Sequence, residues 1–255
     1  MSSCEFRVTN SEIGPLPHSL LTAHSSLLLM PLTTILFDAG GTLVYLDYVF
    51  LARELLRAGI VVSPRAIRLA EYAAKAEIDR RLLGAVADTD ETRRRPYFVA
   101  LLAHLGVEPA LAACLIERFD AAHKQDNLWR KMLPSTPAVL TGLRNRGFTL
   151  GVISNADGRI GAILEKCGIA KLFDIVIDSY DVGVEKPDPR IFALTLERLD
   201  VRPDQALYVG DIYGIDVVGA ERAGLSSVLL DPLGGYNGGP CRKIRHLREL
   251  IGAGS

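Results

Sequence analysis

The spacing of hydrophobic positions changes twice along the chain. Ile35-Leu36-Phe37 is a short apolar run between Thr33-Thr34 and a glycine turn, and it reads as a buried strand. From about residue 47 to residue 133 the apolar positions recur at helical spacing: Leu51, Leu55 and Leu56; Ile67, Leu69, Ala70 and Ala74; Val99, Leu102 and Leu105; Leu111, Leu115, Ile116 and Phe119. Ser63-Pro64 adds a capping residue followed by the proline favoured at a first helical position. No strand signal of comparable strength stands out there, so this block is expected to be all helical. After Pro134 strands and helices alternate. Helices are predicted over 137–146, 158–166, 188–199 and 216–223, and strands over 148–153, 173–177, 206–209 and 227–230.

Alternation with short turns predicts an α/β fold, a parallel sheet with helices on both faces. The expected organisation is a core built from residues 30–46 and 134–255, with the helical insert 47–133 placed directly after the first strand. Residues 1–29, of mixed composition with Pro15 and Pro17, are expected to be a disordered extension, or to precede a true start at Met30. The glycine-rich run 231–240 matches no dinucleotide or phosphate-loop pattern and is expected to be a mobile connection.

Composition narrows the function. With 49% hydrophobic residues in 255, a substantial core is within reach. A net charge of −1 gives no global basic field for nucleic acid or a membrane surface. The apolar stretch Leu27-Leu28-Leu29-Met30 is too short to span a bilayer, and only Arg7 precedes it where a secretory leader wants a basic start. Four scattered cysteines without a C-x-x-C pair read as free thiols of a reducing cytosol, so a cytoplasmic location is expected.

In open parallel sheets ligands sit at the carboxyl ends of the strands. Four such ends carry useful groups here. Asp38 ends the first strand, followed by Gly40-Gly41-Thr42. Ser154-Asn155 ends another, Glu185-Lys186-Pro187 fills a connection, and Gly210-Asp211 is followed by Asp216. One Asp or Asn at a strand end is ordinarily a helix cap. Carboxylate, hydroxyl and amide, ammonium and a carboxylate pair converging on one crevice point instead to phosphoryl transfer. Asp38 reads as a carboxylate nucleophile. Asp211 and Asp216 add hard oxygen ligands suited to Mg²⁺, and clustered acids themselves call for a cation. Lys186 and Ser154 read as stabilisers of phosphoryl oxygens, and Gly40 and Gly41 let the backbone approach the phosphate.

Together these stretches resemble the four motifs of the haloacid dehalogenase-like hydrolase superfamily. Phe37-Asp38-Ala39-Gly40-Gly41-Thr42-Leu43 resembles the first, usually D-x-D-G-T-L; Ile153-Ser154-Asn155 the second; Lys186-Pro187 the third; and Gly210-Asp211-Ile212-Tyr213-Gly214-Ile215-Asp216 the fourth, G-D-x-x-x-x-D. The resemblance implies a Rossmann-like core, an α-helical cap over 47–133, and Mg²⁺-dependent phosphatase activity through an aspartyl-phosphate intermediate. It assigns catalysis to Asp38, Lys186, Ser154 and Asn155. Substrate contacts fall to Gly41, Thr42, Ser154, Asn155 and Lys186, and the metal to Asp38, the Gly40 carbonyl and Asp211, with Asp216 close by. The implied partner is a small phosphorylated molecule, and the expected assembly is a monomer or homodimer.

One departure matters. Phosphatases of this type place a second Asp, the general acid and base, where this chain has Gly40. Four readings stay open: a phosphatase of esters with good leaving groups, or with the proton role taken by a cap residue or water; a dehalogenase-like enzyme; a phosphonatase-like enzyme using a cap lysine such as Lys75; and a non-catalytic phosphoryl-binding protein. Lys75 lies in the charged stretch Arg68 to Arg81 and is expected to be a solvated surface lysine. The runs Arg80-Arg81 and Arg93-Arg94-Arg95 lie in the cap, where they could attract an anionic substrate over the crevice, but a solvated helix face and helix start is the favoured expectation. Trp129 and the histidines His104 and His123 are expected to serve packing, while Tyr45, Asp47 and Tyr48 are expected at the cap hinge, within reach of substrate.

Overall fold

The computed structural model describes residues 31–82, 89–236 and 239–252; the expectation for residues 1–29 lies outside them. The central sheet carries strands β1 (Thr34–Phe37), β4 (Thr149–Ser154), β5 (Ile175–Asp178), β6 (Ala206–Gly210), β7 (Ser226–Leu230) and β8 (Lys243–Ile244). They run in the order β5-β4-β1-β6-β7-β8, and every pairing is parallel. β1 is therefore central, with Phe37 in register with Val152 on one side and Val209 on the other. Topology reverses direction beside β1, which puts the crevice at its carboxyl end.

The alternation of β1 explains its burial on both faces. Ile35 and Phe37 pack with Leu140, Leu143, Leu164 and Val209. Leu36 points the other way, to Ile153, Phe192, Leu196 and Tyr208. The covering helices are α5 (Thr136–Asn145), α6 (Ile160–Lys166), α7 (Ser179–Val182), α8 (Pro189–Leu199) and α9 (Val218–Arg222). α8 starts as its sequence directs, with Asp188 accepting the Arg190 N–H and Pro189 in the first position.

Between β1 and α5 the chain builds a second layer from α1 (Tyr48–Arg57), α2 (Pro64–Leu82), α3 (Asp90–His104) and α4 (Pro109–Gln125). This layer has its own apolar cluster around Leu51, Leu55, Ile67, Phe98, Leu101 and Phe119. Ser63 caps α2 by accepting the Ala66 N–H, and Asp47 caps α1 through Phe50 N. The block is not wholly helical. Trp129–Met132 forms strand β3, antiparallel to β2 (Val44–Leu46). Both strands are short, and β3 carries Arg130 and Lys131, which pair with Asp47, so no apolar alternation announces it.

Two further expectations change. The stretch predicted as one helix over 216–223 opens with a π-type turn, Tyr213–Val217, before α9. In the glycine-rich run Asp231 accepts the N–H groups of Gly234 and Tyr236, and Tyr236 is buried, so 231–236 is a hydrogen-bonded turn. Among the described residues no helix is long and apolar enough to cross a membrane.

Candidate active site

The ends of β1, β4 and β6 and the loop before α8 meet in one cavity of about 160 Å³, lined by Asp38, Gly40, Ser154, Asn155, Lys186, Asp211 and Asp216. All four predicted strand-end motifs therefore converge. Lys186 is buried and its ammonium donates to Asp38 Oδ1 at 2.6 Å, Asp216 Oδ1 at 2.7 Å and the Tyr208 hydroxyl at 2.7 Å. Three donors with three acceptors leave it no freedom.

Each predicted residue takes a distinct position. Asp38 Oδ2 is buried and has no hydrogen-bond partner. Asp216 is fully engaged: Oδ2 accepts the N–H groups of Asp211 and Ile212, and Oδ1 accepts from Lys186 and Tyr208. Asn155 is engaged as well, donating to the Lys186 carbonyl and accepting the Lys186 N–H, so it fixes the lysine loop to β4. Ser154 is buried on the cavity wall. Thr42 is fully buried, and its hydroxyl has no partner.

The two glycines of the turn differ. Gly41 has a φ of +85°, and a side chain there would collide with the Asp211 carboxylate and lie 2.6 Å from Lys75 Nζ. Only glycine fits. Gly40 has no such constraint. A Cβ on it would meet Trp129 Cδ1 at 3.5 Å, an ordinary contact.

Asp38, Asp211 and Asp216 each offer an oxygen within 4.8 Å of the others. Burial pushes the Asp38 carboxyl up to about 8; the neighbouring Asp216 and Asp211 add to this, and Lys186 opposes it. Burial likewise raises Asp211 to about 6, against the pull of Lys75. Buried carboxylates that repel one another, one with an orphaned oxygen, fit a hard divalent cation. Asp38 and Asp211 have the oxygens for it, while Asp216 spends its own on the loop and on Lys186.

The helical layer supplies residues that the sequence reading placed elsewhere. Lys75 is not a solvated lysine. Its Nζ lies 2.6 Å from Asp211 Oδ2 and 3.2 Å from Glu71 Oε1, and its side chain is only 12% exposed. Burial works against its charge, but Asp211 and Glu71 outweigh burial and hold its pKa well above the ordinary lysine value. One turn further along α2, Asp79 accepts the Gly214 N–H at 2.6 Å. Arg93 is not solvated either: it is buried, lines the cavity and reaches Glu185 at 3.4 Å. Arg94 lines the cavity too, whereas Arg95 pairs with Glu117 at the surface.

His123 does pack, but against the site. It lines the cavity, faces Asp157 at 3.2 Å and accepts the Leu128 N–H on Nδ1, so Nε2 carries the hydrogen. Trp129 packs on Tyr97, Phe98 and His123 and also walls the cavity beside Gly40. Tyr45 donates to the Thr42 carbonyl and Tyr48 to Glu71, and both face a smaller pocket behind Lys75 and Asp211. A legible signal for the missed residues exists. Glu71, Lys75 and Asp79 follow one another at i, i+4, i+8, interleaved with the buried Ile67, Ala70, Ala74 and Ile78. Charges repeated along the buried face of a helix need buried partners.

The model of the haloacid dehalogenase-like hydrolase family matches residues 32–224. The glyceraldehyde 3-phosphate phosphatase of Methanopyrus kandleri is 33% identical over 197 residues, which cover 76% of this chain and 82% of that protein. The mouse haloacid dehalogenase-like hydrolase domain-containing protein 3 is 42% identical over 100 residues, 39% of this chain; the match spans only 40% of that protein, and 50% of its cattle counterpart. A HAD phosphatase from Thermococcus onnurineus superposes with a TM-score of 0.53 at 27% identity, covering 86% of this chain and 96% of its own. With a family match over residues 32–224, most of its length, the chain belongs to the haloacid dehalogenase-like hydrolases.

Proposed function

We propose that the protein is a Mg²⁺-dependent phosphatase acting on a small phosphate ester through an aspartyl-phosphate intermediate. The observation that carries this reading is Asp38: one oxygen is held by Lys186, and the other is buried, unpartnered and on the cavity wall. Its Oδ2 attacks phosphorus as the bond to the leaving oxygen breaks, and the displaced oxyanion takes its proton from water. Water then attacks the phosphorus of the acylphosphate, releasing phosphate and restoring the Asp38 carboxylate. Lys186 stays charged throughout and offsets the negative charge on Asp38 and the phosphoryl group. Ser154, on the cavity wall, is a side-chain donor for phosphoryl oxygens. Asp38, the Gly40 carbonyl and Asp211 would hold Mg²⁺, which would supply charge neutralisation at the phosphoryl oxygens. Asp216 and Asn155 position Lys186 and the Asp211 loop.

The layer over 47–133 acts in this reading as a cap that closes the cavity against bulk solvent, leaving only the water that reacts. The similarity to a glyceraldehyde 3-phosphate phosphatase supports a small phosphorylated substrate. Among the described residues, Cys114, Cys167 and Cys241 are free thiols, which suits action in the cytoplasm. The entry of Lys75 into the site favours a second reading, phosphonate cleavage through a lysine imine. An imine requires a neutral amine, however, and two carboxylates hold Lys75 as ammonium, so the phosphatase reading stands first. The test is hydrolysis of p-nitrophenyl phosphate by the full chain with and without Mg²⁺, beside a phosphonate. Metal-dependent release of p-nitrophenolate is expected; turnover of the phosphonate alone would overturn the assignment.

A further inference from the structure

The carboxylate cluster is served by two ammonium groups of different character. Lys186 is locked by Asp38 just after β1, Tyr208 on β6 and Asp216 in the π-type turn after β6, all in the core layer. Lys75 arrives from the other layer, on α2, and has two anions to choose from. Asp211 Oδ2 lies at 2.6 Å, and Glu71 Oε1, one turn back on the same helix, at 3.2 Å. Glu71 is a prepared receiver. It is buried, and the hydroxyls of Tyr48 and Tyr97 donate to it, fixing its two oxygens in place. Lys75 and Asp211 also line both the main cavity and the smaller pocket behind it, so the ammonium has space to move between them.

A divalent cation on Asp211 would sit beside the Lys75 ammonium on the same carboxylate. Two positive charges in a buried site repel strongly. We propose that Lys75 is a tethered counter-ion for Asp211, exchanged for the metal: with the metal absent it neutralises the carboxylate, and on loading it is displaced onto Glu71. This rests on the metal-site reading above. Metal affinity is then set by a residue of the helical layer that need not touch the metal, and loading removes one of the contacts by which α2 grips the Asp211–Asp216 loop. Another, Asp79 on the Gly214 N–H, remains.

Calorimetric titration of the full chain with MgCl₂ tests this without turnover. Lys75→Gln, which keeps a polar donor but removes the charge, and Lys75→Met are expected to bind Mg²⁺ about tenfold more tightly, the scale of one charge–charge interaction at a buried site. Glu71→Gln removes the alternative anion and is expected to weaken binding about threefold. That weakening should vanish in the Lys75→Gln/Glu71→Gln pair, because Glu71 acts through Lys75. The Lys75→Gln ratio should persist in about 0.5 M KCl, where long-range charge effects are screened. Unchanged or weaker Mg²⁺ binding by both Lys75 variants overturns the exchange, as does a ratio that collapses in salt or a Glu71→Gln effect that survives without Lys75. Absence of Mg²⁺ binding in the native chain and every variant overturns the metal-site reading itself, a separate outcome.

Discussion

Gly40→Asp adds a carboxylate at the position where the first-motif resemblance expects a proton carrier, and the structure has room there for its Cβ. Gly40 is not among the glycines with positive φ, and the added Cβ meets only the Trp129 indole, at 3.5 Å. The new group would lie on the cavity wall beside Asp38. A positioned acid and base is worth about 10²–10⁴-fold, or roughly 3–5 kcal/mol of barrier at about 1.4 kcal/mol per tenfold. The general-acid part of that gain applies only where the leaving oxygen needs a proton, and that part separates the two kinds of ester. The expected result is therefore selective: turnover of an alkyl phosphate rises about 100-fold or more, while p-nitrophenyl phosphate, whose phenolate leaves unprotonated, changes by less than about tenfold. Gly40→Ala, which adds the Cβ without the proton, should leave the ratio of the two rates unchanged. The assay is phosphate release from both substrates at saturating Mg²⁺, after calorimetry has shown that each variant binds the metal. A folded, metal-binding Gly40→Asp with an unaltered ratio would falsify the view that proton transfer at this position is what the native chain lacks.

Asp38→Asn should abolish turnover of every phosphate ester and leave no acid-stable phosphoryl label on the chain; residual hydrolysis would reassign the nucleophile. Asp211→Asn should weaken Mg²⁺ at least tenfold by calorimetry, since it removes one of the two carboxylates with an oxygen to give, and unchanged affinity would remove Asp211 from the ligand set. Asp38 and Asp211 have folded pKa values of about 8 and about 6, above the ordinary 3.8. The folded state therefore holds their protons more tightly than the unfolded state, and this stability is full below pH 4 and lost as pH rises through 6 and 8. Melting of the metal-free chain should fall across that window, and Mg²⁺ should restore it most at the alkaline end; a flat or rising profile would contradict the burial of these groups.

Much of this protein was legible in the order of its residues. The apolar run Ile35-Leu36-Phe37, the alternation after Pro134 and the Asp, Ser-Asn, Lys and Gly-Asp punctuation predict a parallel sheet with chemistry at its carboxyl ends. The structure has that sheet, with β1 at its centre. Local patterns sufficed because strand burial and helix capping depend on near neighbours in sequence. β3 escaped because its partner, β2, lies more than eighty residues earlier, and its own polar residues are satisfied across that distance by Asp47. The same reason governs the site. Asp38 and Lys186 could be named from their motifs, but whether a charge such as Lys75 or Arg93 faces water or a carboxylate depends on which helix face the second layer turns toward the first. Lys75 and Asp211 are 136 positions apart in sequence and 2.6 Å apart in space. Residue types and spacing were enough to point to the family to which this chain belongs. Only tertiary packing decided that a cation from the helical layer would stand on the carboxylate proposed to hold the metal, and that an indole edge would wall the space beside Gly40.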